Sequence, residues 1–166
     1  MSFKGTLLPI GELIALAQAE PEPDWRALYG HIGLESTAAD AARFCAELIA
    51  EGRTLSECWR FGILQTVDYY DSAVRRGGVE LGAQVFAAEP ERTGAQAVDA
   101  AFAALADHLG ERDGWKPAPW AADPSRRTHR WFAAQPVLFH DEALRDSPRA
   151  FRDRGIFITS RGLNRA

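Results

Sequence analysis

Between Thr54 and Val74 the chain repeats large apolar side chains at steps of four and three: Leu55, Trp59, Ile63, Val67, Tyr70 and Val74. That spacing keeps returning to one face of an α-helix and to no single face of a strand. Thr54 followed three residues later by Glu57 opens the run with a capping box, in which hydroxyl and carboxylate satisfy each other's exposed amides. Gly62 is expected to bend this helix, and Gly77-Gly78 to stop it. A long amphipathic helix must bury its stripe against something, so the chain is committed to packing helices.

The neighbouring segments agree. Residues 11–19 suit a short helix that Pro21 and Pro23 break, and Asp24 can cap a second with Trp25, Leu28 and Tyr29 facing inward. Thr37 and Asp40 approximate a capping box before Ala41, Phe44, Cys45, Leu48 and Ile49, with Gly52 as the stop. Residues 79–92 are compatible with a helical turn or a short strand. Thr93-x-x-Gln96 is a second strong capping box, after which Val98, Phe102, Leu105 and Leu109 define a stripe ended by Gly110. Alanines fill the flanks of that helix, so neighbours can approach it closely.

The last third changes character. Trp115-Lys116-Pro117-Ala118-Pro119-Trp120 should cross the molecule in an extended, polyproline-like conformation. Asp123-Pro124 reads as a helix start, with the helix running to about Ala134. Further short helices are expected over 141–146 and after Ser147-Pro148, the latter with Phe151 inward and Gly155 as terminator. Ile156-Phe157-Ile158 is either a small strand or an apolar tail. The expected fold is mostly α: a single-domain bundle of six to eight helices, with room for one short strand pair.

Its 166 residues fit one domain with a real core. Net charge is −4, which argues against a generic polyanion binder, but the charge is uneven. Residues 1–112 hold 9 basic and 17 acidic side chains, and residues 113–166 hold 10 basic and 6 acidic. The sequence thus reads as an acidic helical part and a basic, Trp/Pro/Arg-rich part of one domain over 1–166. Cys45 and Cys58 both fall on apolar faces, where a free cysteine behaves as a small buried hydrophobe, and two thiols alone make no metal site. With no secretion signal and no long apolar run, a cytoplasmic protein without membrane association is expected.

Catalytic motifs are missing. No serine sits in a Gly-x-Ser-x-Gly elbow, burial should blunt both thiols, and Gly77-Gly78 follows a helix instead of opening one. His108, His129, His140, Asp141 and Glu142 include no pair at the i, i+4 spacing of a helical zinc motif, so no metal or other cofactor is expected. Asp68 and Asp71 share a helix face and suit an acidic solvent edge; a polar pocket around them would instead mark an unrecognised enzyme. The clearest binding signal is Arg126, Arg127 and Arg130 beside Trp131, with Arg149, Arg152 and Arg154 downstream. Arginine and tryptophan are enriched at interface hot spots, and arginine also contacts phosphates while tryptophan stacks on bases. The plainer alternative is that Trp131-Phe132 belong to the core and the arginines pair with the acidic first two-thirds.

Pro90, Thr93-Gly94, Val98-Asp99, Leu105, His108-Leu109, Pro119-Trp120, Asp123-Pro124, Arg126, Trp131-Phe132, Ser147-Pro148, Ala150-Phe151-Arg152, Arg154 to Ile158 and Leu163 form one string of punctuation. Over about residues 85–163 this resembles an uncharacterised C-terminal module of proteins from high-GC bacteria. In some of these the module follows a helix-turn-helix DNA-binding domain, and members look like antitoxins encoded beside nucleotidyltransferase-like toxins. The N-terminal part of this chain departs from that pattern, showing no helix-turn-helix signature. The resemblance implies a non-enzymatic, partner-binding protein of a toxin–antitoxin pair that neutralises a protein partner directly. The arginine patch, read from the residues themselves, would supply its binding surface: Arg126, Arg127, Arg130, Trp131, Arg149 and Arg152. A nucleic-acid-binding accessory role for the same patch is the alternative.

Overall fold

A computed structural model describes residues 33–164, together with Ile10. The two short helices expected within residues 11–32 lie outside the described residues. The fold is mostly α, with five helices and one two-stranded sheet among the described residues, slightly fewer helices than expected. Helix α1 is Ala38–Ala50. Helix α2 passes from Leu55–Cys58 through a π-helical turn at Trp59–Ile63 into Leu64–Gln84, with a kink at Gly78. Helices α3, α4 and α5 are Gln96–Asp113, His140–Asp146 and Arg149–Arg152. Strands β1 (Trp131–Phe132) and β2 (Ile156–Phe157) pair in parallel, Trp131 opposite Ile156 and Phe132 opposite Phe157.

Both capping boxes at the starts of α1 and α2 form. Thr37 Oγ accepts from the Asp40 amide at 3.2 Å while Asp40 accepts from the Thr37 amide at 3.0 Å. Thr54 and Glu57 repeat the exchange at 3.3 and 2.9 Å. The bonds from Thr37 and Thr54 hold both carboxyls below their usual pKa range. The α2 stripe is buried as its spacing predicts, with Trp59, Ile63, Val67 and Tyr70 inside and Leu55 and Val74 packed on the margin. Gly62 lies in the π turn, where a Cβ would collide with Cys45 Sγ across the α1–α2 contact. At Gly78 the backbone takes φ 77° and ψ −177°, which breaks the helix where expected, but helical turns resume and carry residues 79–84.

The centre of the molecule is α3. Its alanines 100, 101, 103, 104 and 106 are as buried as Phe102, Leu105 and Leu109, so the helix is enclosed on nearly every side. It touches α1, the π turn of α2, α5, β2 and a 3₁₀ turn at Pro119–Ala122. Two expectations about it change. Thr93 does not pair with Gln96: the chain turns at Gly94 (φ 90°), and the Thr93 amide and hydroxyl both donate to the buried Asp99 carboxylate, at 2.8 and 2.9 Å. Nor does Gly110 stop the helix. It admits the returning Trp115–Pro117 strip against the helix, and the left-handed cap falls at Gly114 (φ 78°).

The helix expected from Pro124 to Ala134 does not form. Asp123 Oδ1 instead accepts from the Ser125 amide at 2.8 Å, closing a tight turn, and the chain then extends to pair with the segment after α5. The Thr128, Trp131 and Ala133 amides donate to Arg154, Gly155 and Phe157 carbonyls at 2.9, 2.8 and 3.2 Å. Sheet pairing therefore takes the amides that a helix would have used. The extended crossing expected over Trp115–Trp120 is present only to Ala118, because Pro119–Ala122 turn into the 3₁₀ helix; Trp115 stacks on Phe86 at 5.8 Å and donates to the Tyr70 hydroxyl at 2.8 Å. Burial and the Asp113 carboxylate push the Tyr70 phenol up to about 12. Among the described residues no helix is long and apolar enough to cross a membrane.

Candidate functional site

Without the Pro124–Ala134 helix, Arg126 and Arg130 do not share a helix face. Arg126 is 1% exposed. Its guanidinium carbon lies 5.2 Å from the Trp120 ring centre, and Nη2 donates to the Pro90 carbonyl and Glu89 at 2.6 and 3.0 Å. Arg126 therefore fastens the 123–130 segment to the 86–90 loop and does not face a partner. Arg149 is half-exposed but spans Asp107, Glu111 and Asp153 at 3.1, 3.3 and 3.1 Å. Arg154 is held by Asp107 at 2.9 Å and by the Ala121 and Ala150 carbonyls at 2.7 and 2.9 Å. For these three, pairing with the acidic part of the chain describes the arrangement.

Arg127, Arg130 and Arg152 are exposed and pair with no carboxylate among the described residues. Trp131 is half-buried, edge-on to Trp59 at 5.7 Å. Arg130, at φ 37°, lays its guanidinium 5.8 Å from the Phe132 ring centre, and Phe132 stacks flat on His140 at 3.7 Å. This stack joins β1 to the start of α4, and the loop between them carries the least expected feature of the surface. Val137 and Leu138 are 82% and 84% exposed, and Phe139 is also exposed. They sit on a 3₁₀ turn whose Phe139 amide bonds the Pro136 carbonyl at 2.9 Å, while His140 Nε2 contacts the Gln135 carbonyl at 3.2 Å. A fixed turn thus holds three adjacent apolar side chains in water beside a cation and an aromatic pair. A second exposed pair, Phe44 of α1 and Phe61 of the π turn, walls a cleft of about 350 Å³. Phe44 was expected to face inward; alanines Ala38, Ala41 and Ala42 with Cys45 fill that contact instead.

A polar cleft of about 630 Å³ opens between α2 and α3. Asp68 and Asp71 form one wall and His108 and Arg112 the other, with Asp71 and Arg112 paired at 3.1 Å. The C-terminal turn with Thr159 and Ser160 closes the third side, over a floor that includes Leu109 and Ile158. Burial depresses the His108 pKa, with Arg112 adding to the effect. Both carboxylates line this cleft, and among the described residues no hydrogen bond joins His108 to the Thr159 or Ser160 hydroxyl. Sequence spacing could place Asp68 with Asp71, but not bring residues 40 and 90 positions away to face them.

Cys45 and Cys58 are buried side by side, each Sγ near the other's carbonyl at 3.7 and 3.9 Å, and burial pushes the Cys45 thiol up to about 12. No group of three or more His, Cys, Asp or Glu side chains among the described residues is placed to hold a metal. Compared with protein-family models, curated proteins and solved structures, the chain gives no match.

Proposed function

We propose that this protein is a non-enzymatic, cytoplasmic protein-binding module whose docking edge is the 136–140 turn with Arg130 and Arg127. The observation that carries this reading is the exposure of Val137 and Leu138 on a fixed turn. Covering an aliphatic side chain of this size is worth about 1.5–3 kcal/mol, so a fitted partner gains several kcal/mol from the turn alone. Arg130 and Arg127 at its margin select an acidic rim. With the antitoxin resemblance, the partner would be a nucleotidyltransferase-like toxin, whose acidic metal-binding centre this edge would cover.

The competing reading, nucleic acid on the arginine patch, is weakened by geometry. Arg126, Arg149 and Arg154 already serve internal partners, leaving Arg127, Arg130 and Arg152. Three phosphate contacts would give a salt slope of only about −3 and weak binding at physiological salt.

The deciding experiment captures partners from nuclease-treated host lysate and then measures affinity for the purified partner. Leu138→Asp and Arg130→Glu should each weaken binding at least about tenfold while leaving thermal stability within about 0.5 kcal/mol of wild type. Unchanged affinity in both variants would sink the proposal. Recovery of nucleic acid alone, released steeply by salt, would establish the alternative. Arg126 must be left intact in such a test, because a charge reversal there attacks the fold.

A further inference from the structure

A third cleft, of about 560 Å³, opens where the first turns of α2, the chain after β1 and the C-terminal turn meet. Trp59, Phe61 and Leu64 supply its apolar lining, and Arg60 adds its stem, with its guanidinium carbon 5.5 Å from the Phe61 ring centre. The segments around it are fixed by bonds of their own. Trp59 Nε1 donates to the Gly162 carbonyl at 3.3 Å, and the Gly162 and Asn164 amides donate to the Thr159 and Arg161 carbonyls at 2.8 and 2.9 Å. Gln135 Nε2 donates to the Ala133 carbonyl at 3.1 Å, and Ala134, also in the lining, is held at φ 52°. That left-handed conformation is costly for any residue but glycine, and strain of this kind gathers at binding sites, where the surrounding structure enforces it.

The chemistry of the lining selects a ligand. The two clefts described above each include an aspartate, whereas no carboxylate lines this one among the described residues. Arg161 is exposed on the fixed C-terminal turn and pairs with no carboxylate among the described residues. Ser56, Gln135 and Asn164 add hydroxyl and amide hydrogens. Guanidinium, amide and hydroxyl donors together suit a group that only accepts, and a carboxylate meets arginine through charge-assisted bonds. The Phe61 ring, 42% exposed, lies beside Leu64 and suits a flat hydrocarbon body. We propose that this cleft binds a small aromatic carboxylate, its anionic end on Arg161 with Gln135 and Asn164 beside it and its ring against Phe61. A volume of about 560 Å³ falls in the range of small-molecule sites. The ligand is taken by the chain alone, so the site stands independently of docking at the 136–140 turn.

The test titrates the full chain with phenylacetate, 2-phenylethanol and 2-phenylethylamine, which share a shape and differ in charge, following amide shifts by NMR. Phenylacetate should give saturable shifts centred on residues 59–64, 134–135 and 161–164, with the alcohol at least about tenfold weaker and the amine inert. Arg161→Gln, which removes the charge, and Phe61→Ala, which removes the ring, should each weaken phenylacetate about tenfold. Both positions are exposed, so both variants should fold as wild type does, and Gln135→Ala supplies a third reading should either fail. Arg43→Gln, which removes an exposed cation elsewhere, should leave the affinity unchanged. No saturable shift with phenylacetate, equal binding of all three probes, shifts scattered over the surface, or affinity unaltered in both cleft variants would each overturn the assignment.

Discussion

Arg126 shows how tertiary context reassigns a side chain. Its planar guanidinium lies against Trp120 with a single nitrogen, Nη2, bonded, while Nε and Nη1 find no partner. The site thus favours the bulk and stem of arginine as much as its charge. Arg126→Ala leaves the Pro90 carbonyl without its donor and a void beside Trp120, and should cost about 2–4 kcal/mol in urea unfolding. Arg126→Met refills the volume and removes two unsatisfied donors, so it should cost less than half as much. Equal losses would show that charge, not packing, is what matters there. In the sequence, Arg126, Arg127 and Arg130 look alike. One is interior, one stacks on Phe132 and one is exposed, and nothing local separates them.

Among elements, α2 depends on a close approach at one glycine. The π turn spends an extra residue at Trp59–Ile63, and Gly62 there meets α1 at Cys45. Gly62→Ala should destabilise the protein by about 1–3 kcal/mol through overpacking. Cys45→Ala removes the colliding sulfur, so the double variant should be little worse than Cys45→Ala alone, a coupling that a double-mutant cycle reads directly. Independent losses that simply add would place the strain elsewhere. The helix stripes and capping boxes of α1 and α2 could be read from the sequence because they are local: caps act over three residues and stripes over one helix face. The 124–134 segment misled for the opposite reason. Asp123-Pro124 is a sound local start signal, but the amides that follow bond to residues 154–157, and no local pattern records so distant a partner.

On the scale of the whole molecule, α3 is the hub, buried on nearly every side and touching α1, α2, α5 and β2. Native-state hydrogen exchange should find its central amides, near residues 100–106, opening only with global unfolding, while amides of residues 136–139 exchange orders of magnitude faster. Comparable protection in both would contradict a core centred on α3. The same organisation sets the surface. With α3 filled by alanine, large side chains are supplied from around it, and Phe44, Phe61 and the Val137–Phe139 turn remain outside.

The sequence by itself determined helices α1 to α3, the caps that open α1 and α2 and most of the buried stripes, because these follow from periodicity and from hydrogen bonds within a few residues. It also singled out the basic aromatic segment, though not which of its arginines reach solvent. Only the tertiary structure decided that Arg126 and Arg149 serve the fold, that Val137 and Leu138 stand exposed, and that Asp71 pairs with Arg112. Each of these depends on chain segments tens of residues apart arriving at one place. Burial and unused hydrogen-bonding capacity are properties of that meeting, and no single stretch of sequence carries them.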